Sequence, residues 1–533
     1  MTPRQHTRPA RLNPLALALG VAAIIALPSL APADEYTDRA NHLANDAAVA
    51  DAFRSDLVVL PALADMDRPP AVLRTQDRAA LLGNQGPGWA ECAEWAQKPN
   101  QKKVLEALDK VTKEEDRRKA FAFGQPYGVE GVSVELISKE MYTDLGDPPL
   151  LAAAKVLYMP AMENAGILCH VEASRAFAAG DAKAAMKVLV DWLYFCRQMA
   201  DRPLMQEKKW AMESMRTALE RIRDLAYLDL GADKHILDPG ILRTVNDRLT
   251  DGKRGKKGFL QLDRMRMPEA DFIAREQLVK KVMDADGRPS EATFAAFMAR
   301  AGATQRPLRL FSAAAFWEQA RAGHAGERDT LRMLQGLHDD WARRWDLPPF
   351  DRYVVTASDY RKYVQTSTRY AVLNEAFRDF DAIVSLRQQI KCELAGTRMS
   401  VGAYAYFLRY KAFPSGLAAC NPDYIDGIDK DPYSPPPRSA DLSYFVPSRD
   451  TPKDSEGRPR PYTINLYPPP PAPEFSLAMD DRVFVIFSVG PDGLSDMVSY
   501  ATQTRTGVRG DYLLFPPTIS LYRQRLAEKD ELK

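Results

Sequence analysis

Acidic side chains are the groups in this 533-residue chain best suited to chemistry, because they recur in closely spaced sets. Such sets occur at Glu114–Asp116, at Glu91 with Glu94, and from Asp423 to Asp431. General acid–base catalysis needs two carboxyl groups that share one cleft but differ in their surroundings, so that one keeps its proton. Spacing along the chain cannot establish such a pair, and acidic runs usually lie on the surface. We therefore keep a carboxylate-dependent hydrolase of a cell-wall or polysaccharide substrate as the alternative function.

The histidines do not have the spacing of a catalytic or metal-binding motif. His338 with Asp339 and Asp340 could form a ligand cluster, but a solvated helix face is the better explanation. The sequence contains no HExxH, GxSxG, Walker or GxGxxG motif, so metalloprotease, acyl-transfer and nucleotide-binding chemistry are not supported. We expect no catalytic residue and no bound organic cofactor, and we predict that the protein is not an enzyme. The histidines beyond the N-terminal segment are His42, His170, His235, His324 and His338.

Cysteine usage leaves two alternatives open. An exported protein can form disulfides, and the odd number of cysteines leaves at least one thiol unpaired. Cys392 on a predicted helix and Cys420 in the following loop are candidates for a disulfide, and Cys169 could pair with Cys196. Buried thiols that pack as small hydrophobic side chains are an equal alternative for each. The fifth cysteine is Cys92.

The N-terminus has the order of features that is typical of a secretory signal peptide. Three arginines precede an apolar run from Leu15 to Leu27, and small Ala31 and Ala33 come before Asp34. At about 1.5 Å per residue this run is too short to cross a hydrocarbon core of roughly 30 Å. We expect cleavage after Ala33, with an uncleaved anchor as the alternative. The mature protein would then be periplasmic or extracellular.

The charge balance and the later apolar segments exclude two classes of partner. The chain has 72 Lys and Arg against 71 Asp and Glu, so no overall field attracts nucleic acid. No later segment has the roughly 18 consecutive apolar residues of a transmembrane helix. We therefore expect no nucleic-acid partner and no stable membrane span once the signal segment is removed.

Residues 34–390 are patterned almost throughout as helices, with many Ala, Leu, Lys, Arg and Glu residues. The clearest helix is predicted at 204–227, where apolar residues recur every three or four positions. Gly180 and Asp181 suit a helix end and the next helix start, which predicts a helical hairpin before it. Two later helices are predicted at 370–396 and 400–411. The polar face of the 204–227 helix is predicted to carry Arg216, Glu220, Arg221 and Arg223.

At Phe413 the helical pattern stops, and Pro and aromatic residues become frequent. The sequence predicts short strands at 442–446, 462–467, 482–488 and 512–515. We assign residues 391–517 to a small α+β module with a short antiparallel sheet, and residues 518–533 to a C-terminal tail. The expected fold class is mainly α, an irregular helical bundle or array followed by this module.

Three motifs in this module carry a resemblance to a known family. They are Phe413-Pro-Ser415, Asp431-Pro-Tyr433 and Phe487-Ser-Val-Gly-Pro-Asp-Gly493. In their order and spacing they resemble the globular domain of type II secretion major pseudopilins. Similar modules end uncharacterised exported helical proteins. Unlike pseudopilins, this chain lacks a prepilin-peptidase site and a long apolar stem, so the shared fold does not transfer function.

The resemblance implies a calcium site in the last loop of the module. Carried over by position, it implies the carbonyl of Val489 and the carboxylate of Asp492 as ligands. Calcium takes six to eight oxygen ligands, and the family's later pair of aspartates has no match at the same distance. Asp496 and Asp511 are the remaining acidic candidates. The alternative is a metal-free turn in which Asp492 accepts backbone hydrogen bonds.

Together these patterns favour a non-catalytic function. The sequence predicts an exported scaffold or binding protein of the cell envelope, whose helical part offers a groove and whose pseudopilin-like module contacts a partner. That partner would be an envelope protein or a polymer. A cleft that holds two carboxyl groups between apolar walls would favour the hydrolase instead.

Overall fold

Helices dominate the computed structural model of the protein, as the abundance of good helix-forming residues predicts. The expected class, mainly α with a small strand-bearing module towards the C-terminus, is confirmed. Residues 1–33, with the predicted signal peptide, and Glu114–Asp116 lie outside the described part of the chain. The structure describes residues 34–45, 49–113, 120–250, 260–303, 310–356, 358–374, 380–437, 439–450, 453, 455–457, 462–467, 474–498, 500–502 and 510–532.

Most of the helices precede residue 410 and pack on one another in an irregular array. A two-stranded antiparallel ribbon, β1 (Thr143–Asp144) and β2 (Lys155–Val156), interrupts them. The helices are α1 (Glu35–Ala44), α2 (Asp56–Ala64), α3 (Gln76–Leu82), α4 (Trp89–Ala96), α5 (Pro99–Thr112), α6 (Val134–Ser138), α7 (Met159–Ala178), α8 (Ala182–Met199), α9 (Met205–Leu230), α10 (Pro239–Leu249), α11 (Ala270–Val282), α12 (Phe294–Ala303), α13 (Leu310–Ala322), α14 (Glu327–Asp346), α15 (Arg352–Val355), α16 (Asp359–Thr366), α17 (Ala371–Asn374) and α18 (Phe380–Tyr410).

The hairpin of α7 and α8 forms where the sequence predicts it. Gly180 has a φ of 83°, and its N–H donates to the Phe177 carbonyl at 3.0 Å. The next N–H, that of Asp181, donates to the Ala176 carbonyl at 2.9 Å. The Asp181 carboxylate then accepts from the Ala184 N–H at 2.9 Å and starts α8. Local hydrogen bonds thus stop one helix and begin the next.

Helix α9 corrects the prediction of one solvent-facing side. Its apolar stripe is buried as expected, but Arg216, Arg221 and Arg223 are buried too, and Glu220 is half-buried. The reason is that α18 and the C-terminal helix pack on the side that the sequence assigns to solvent. The Glu393 carboxylate of α18 pairs with Arg223, and Asp224 of α9 itself pairs with Arg221.

Helix α18 is a second correction, because one helix replaces the two predicted at 370–396 and 400–411. It runs unbroken from Phe380 to Tyr410 and is buried along most of its length. Gly396 allows close packing on the following sheet, since an added Cβ would press on the Leu514 side chain. The predicted boundary between residues 390 and 391 therefore falls within a helix that contacts both parts of the chain.

The elements of the C-terminal module are β3 (Ser443–Phe445), α19 (Pro447–Asp450), β4 (Tyr462–Tyr467), β5 (Phe475–Met479), β6 (Val485–Ser488), β7 (Tyr500–Thr502) and β8 (Tyr512–Phe515), and α20 (Thr518–Glu528) follows. Among the described residues, the strands form two three-stranded sheets. One is antiparallel in the order β3-β6-β8, with Tyr444 opposite Ile486 and Phe487 opposite Leu513. In the other, of order β5-β4-β7, the β4–β5 pair is antiparallel and the β4–β7 pair is parallel.

The predicted strands correspond to β3, β4, β6 and β8, whereas β5 and β7 were not predicted. Strand β5 contains Ser476 and Ala478, so its sequence has few of the β-branched residues that signal a strand. Strand β7 has only three residues. The segment assigned to a C-terminal tail contains α20, which packs on α3 and α9.

All described residues belong to one compact unit that begins at Ala33. Buried ion pairs join its helical part to the module: the Arg223 guanidinium bonds to the Glu393 carboxylate, which also accepts from the Tyr512 hydroxyl. The Asp224 carboxylate binds both terminal nitrogens of Arg523 on α20 at 2.8 and 2.9 Å. In the described part of the chain, no helix combines the length and the apolar character needed to cross a membrane.

Candidate functional site

The loop that begins at Ser488 is held at its base by Asp431, a residue of the predicted aspartate-proline turn. Its carboxylate accepts from the Ser488 hydroxyl at 2.6 Å and from the Val489 N–H at 2.9 Å. It also accepts from the Tyr433 N–H at 2.8 Å. Two of the motifs that carry the family resemblance, 57 residues apart, are therefore in direct contact. Burial raises the pKa of Asp431.

Asp492 closes the middle of the same loop. One oxygen of its carboxylate accepts from the Leu494 N–H at 3.1 Å, and the other accepts from the Gly510 N–H at 2.9 Å. Gly490 has a φ of 72°, and an added Cβ would collide with the carbonyl oxygen of Gly510. Asp492 thus acts as the backbone hydrogen-bond acceptor that a metal-free turn requires.

Asp511 holds the end of the loop and lies beside a second carboxylate. Its Oδ2 accepts from the Val498 N–H at 2.6 Å and from the Asp496 N–H at 3.2 Å. Met497 and Val498 have φ values of 58° and 61°, a left-handed backbone that these bonds stabilise. Burial raises the pKa of Asp511 to about 8, and the adjacent Asp496 carboxyl adds to the rise.

Among the four predicted calcium ligands, the carboxyl groups of Asp496 and Asp511 lie side by side. Val489 is engaged through its N–H by Asp431, and both oxygens of Asp492 accept backbone N–H groups. Throughout the described ranges, no group of three or more His, Cys, Asp or Glu side chains is arranged to hold a metal ion. This arrangement does not fit the six to eight oxygens that calcium takes. Calcium binding at Asp496 and Asp511 stays a prediction.

Of the two alternatives for the cysteines, the structure has the buried thiols. All five lie in described segments, and every one is buried and free, Cys392 and Cys420 included. Cys392 sits on α18 near Asp431 and Ser488, where burial raises the pKa of its thiol well above the usual range. Burial also raises the pKa of Cys420 to about 12. The structure therefore holds them as buried thiols, in line with the alternative of small hydrophobic side chains.

Two aspartates of the acidic run from Asp423 to Asp431 are neutralised by one arginine. Arg398 on α18 donates to both oxygens of Asp429 at 2.7 and 2.6 Å and also binds Asp426. Glu91 and Glu94 are both exposed on α4. Neither set supplies two carboxyl groups in contrasting surroundings within one cleft, so the sequence candidates for acid–base work are not brought together.

Of the candidate cluster at His338, Asp339 lies 3.6 Å from the His338 ring, whereas Asp340 is engaged elsewhere. Asp340 turns to Arg344, at 2.9 Å, and to the Tyr353 hydroxyl at 2.7 Å. His338 packs edge-on against Phe272, with ring centroids 4.3 Å apart. His170, another of the predicted histidines, is fully buried. Its burial, together with the nearby Arg221 guanidinium, lowers its pKa to about 3.

Sequence reasoning missed two clefts, because each is built from elements far apart in the chain. The first, which we name the junction cleft, has a volume of about 620 Å³ and lies where α9, α18 and α20 meet the module. Its walls are largely apolar, and Asp480, Asp481 and Arg482 form a polar end. Six residues that carry its apolar character are Tyr227, Phe407, Phe413, Leu477, Met479 and Val483.

A row of aromatic rings supports the walls of the junction cleft. Phe407 stacks on Phe413 with centroids 4.8 Å apart, and Phe413 meets Phe484 at 5.4 Å. Phe515 continues the row, stacking on Phe484 at 4.2 Å and meeting Tyr227 at 5.9 Å. The cleft is therefore bounded by rigid side chains that the helical part and the module share.

The strand at the junction cleft is an edge strand. Among the described residues β5 pairs only with β4, which leaves its other edge without a strand partner. Leu477, Ala478 and Met479 are consecutive, and all three line the cleft. Because successive side chains of a strand point to opposite faces, lining by consecutive residues indicates that the strand edge borders the cleft.

The second cleft, which we name the N-terminal cleft, has a volume of about 820 Å³ and lies between α1, α11 and α14. Phe272 and Ile273 of α11 and Leu334 of α14 are buried beneath it. Its polar residues come from all three helices and are Asp38, Arg39, His42, Glu269, Glu276, Gln335 and His338.

A scan against protein-family models and searches of curated proteins and of solved structures found no match for this chain.

Proposed function

We propose that the protein is an exported, non-catalytic binding protein of the cell envelope, and that its junction cleft takes an extended segment of another envelope protein. The observation that carries this proposal is the junction cleft itself, a groove of about 620 Å³ with apolar and aromatic walls and a charged end. It lies beside the edge of β5 that has no strand partner among the described residues. Concave sites with apolar walls and a few polar groups are the usual form of binding sites.

The edge of β5 favours an extended peptide over a globular surface or a polymer. An extended segment that pairs with an edge strand gains main-chain hydrogen bonds, while pockets alongside select its side chains. Here Phe407 and Phe413 would contact apolar side chains of the segment. Asp480 and Asp481, at the end of the same strand, favour a basic residue there.

The proposal that the protein is exported rests on the sequence before Asp34. The arginines, the apolar run to Leu27 and the small residues before Asp34 have the order of a signal peptide. The pseudopilin-like identity of the module is part of the same proposal. It is supported by the contact of Asp431 with Ser488, which joins two of the three motifs.

The carboxylates at the two clefts favour binding over hydrolysis. At the junction cleft Asp480 accepts from Arg482 at 2.8 Å, and Asp481 is exposed. At the N-terminal cleft Glu276 pairs with Arg39 at 2.8 Å, while Asp38 and Glu269 are exposed. A general acid needs a carboxyl group whose surroundings hold its proton near neutral pH. Exposed and ion-paired carboxylates do not have such surroundings.

The test identifies the partner and then blocks the cleft. Proteins cross-linked to the mature chain in its own envelope are identified, and the purified pair is measured by calorimetry. Gly231 lines the cleft with a φ of −83°, and an added Cβ there meets only ordinary contacts. We expect Gly231→Trp to fill the cleft and weaken binding by about tenfold or more.

Gly323→Trp is the matched control, since an added Cβ at Gly323 meets nothing within 4 Å and the residue does not line the cleft. It should bind the partner as the wild type does. Equal affinity of Gly231→Trp and wild type would overturn the junction cleft as the binding site. Release of soluble fragments from peptidoglycan or polysaccharide by the purified protein would favour the hydrolase instead.

A further inference from the structure

The N-terminal cleft is lined by two turns of each of two helices. The lining residues on α11 are Phe272, Ile273 and Glu276, with Glu269 immediately before its first turn, and on α14 they are Leu331, Leu334, Gln335 and His338. Both sets follow the three- and four-residue spacing of one helix face. Seven residues of helix cover roughly 10 Å at 1.5 Å per residue, so the cleft suits a ligand of that length.

The floor of the cleft is apolar and firmly packed. Phe272, Ile273 and Leu334 are buried, and Phe272 is held edge-on by His338 at 4.3 Å. Leu331 and Leu43 are half-buried at its sides. A ligand with an apolar body would remove this surface from water, which is favourable in proportion to the area covered.

The rim of the cleft is acidic. Asp38 and Glu269 are exposed and have no ion-pair partner in the parts of the chain that the structure describes. Glu276 pairs with Arg39 at 2.8 Å. Three carboxylates therefore face one guanidinium around an apolar floor. A cationic group at the rim is attracted and an anionic group is repelled.

We propose that the N-terminal cleft binds an organic cation, an ammonium group carried on an alkyl or aromatic body. The apolar body lies on Phe272, Ile273 and Leu334, and the ammonium group lies at Asp38 and Glu269. The volume of about 820 Å³ falls within the range of small-molecule sites. A basic peptide helix would need a groove longer than the two turns that α11 and α14 provide. This site is independent of the junction cleft.

The test uses three ligands of the same shape and different charge. Phenylbutylamine, phenylbutanol and phenylbutanoate are titrated into the mature protein by calorimetry at neutral pH and low salt. We expect saturable binding of the amine, binding of the alcohol that is weaker by about tenfold or more, and no binding of the carboxylate. Equal affinity for amine and alcohol would overturn the proposal. So would binding of a lysine-rich peptide without binding of the amine.

Variants of the rim locate the site. Asp38→Asn with Glu269→Gln should weaken binding of the amine by about tenfold and leave that of the alcohol unchanged. Both residues are exposed, so the melting temperature should shift by no more than about 2 °C. Glu106→Gln, an exposed carboxylate on α5 outside the cleft, is the matched control and should bind the amine normally. Unchanged amine binding in the double variant would exclude this cleft.

Discussion

At the scale of single residues, three aspartates hold the 488–498 loop through its backbone. Asp431 binds the start of the loop, Asp492 joins its middle to Gly510, and Asp511 binds the Asp496 and Val498 N–H groups. Apart from the exposed Leu494 N–H, the donors that these carboxylates satisfy are partly or fully buried, and a buried donor without a partner is costly. The acidic character of this loop thus has a structural role whether or not a metal binds.

We expect Asp492→Ala to lower the free energy of unfolding by about 1–3 kcal/mol, because the Gly510 and Leu494 N–H groups lose their acceptor. Thermal or urea unfolding measures the loss. If calcium binds through Asp492, Asp496 or Asp511, a chelator should also lower the melting temperature of the wild type, and the variant should lose that sensitivity. Equal unfolding curves for both proteins, with and without chelator, would contradict both roles.

Asp511 should make stability fall as the pH rises. Its pKa is raised from 3.8 to about 8 in the folded protein, so the folded state keeps a proton that the unfolded chain has already lost. The stability that this carboxyl contributes is therefore complete below about pH 4 and is lost as the pH rises towards 8. Asp511→Asn, which imitates the protonated form, should flatten the pH dependence of the melting temperature over that window. If the melting temperature of the variant depends on pH as steeply as that of the wild type, Asp511 is not the source of that dependence.

At the scale of elements, α9 organises the molecule because it is covered on several sides. Helices α8, α18 and α20 all pack on it, and its buried Arg223 and Asp224 form ion pairs with Glu393 of α18 and Arg523 of α20. A buried charge that loses its partner is strongly destabilising. Helix α20 is thus held by a specific polar contact as well as by the apolar side chain of Leu521.

Removing the ion pair between Asp224 and Arg523 should weaken the packing of α20 on α9. Arg523→Met leaves Asp224 with only Arg221 and Ser520, and we expect a loss of about 3 kcal/mol in the free energy of unfolding. Asp224→Asn combined with Arg523→Met should cost less than the sum of the single changes, which a double-mutant cycle measures. Glu528→Ala, an exposed residue of the same helix, should change stability by less than about 0.5 kcal/mol. Additive costs for the pair would show that the two side chains are not coupled.

At the scale of the whole molecule, the helical part and the module share α18. The helix contacts α9 and α10 on one side and β6 and β8 on the other. We expect a fragment that begins at residue 391 to remain unfolded in isolation, because it lacks the start of α18 and the Arg223 partner of Glu393. Circular dichroism and thermal melting test this. A cooperative thermal transition of the fragment would show that the module folds without the start of α18 and without Arg223.

The export prediction belongs to the same scale. If signal peptidase cleaves after Ala33, N-terminal sequencing of the mature protein should begin at Asp34, the residue that caps α1 by accepting from the Thr37 N–H at 3.0 Å. Ala33→Leu should prevent cleavage, since the enzyme accepts only small residues there. Membrane-bound protein that still begins at Met1 would support the uncleaved anchor.

Much of the local structure could be predicted from the sequence. The α7–α8 hairpin, the strands β3, β4, β6 and β8, and the turn at Asp492 depend on hydrogen bonds and side-chain periodicity within a few residues. Such short-range signals are present in the sequence itself. Strand β5 gave almost no signal, because Ser476 and Ala478 are weak strand formers and its pairing with β4 supplies the stability.

Taken alone, the sequence determined the fold class and the acidic loop, together with the expectation of export. Only the tertiary structure decided that the arginines of α9 are buried, that α18 is continuous and that both clefts exist. Those features depend on partners far apart in the chain, such as Asp224 and Arg523 at a separation of 299 residues. A polar side chain follows the same helical periodicity whether it meets water or a buried carboxylate. Its surroundings are fixed only when the elements pack.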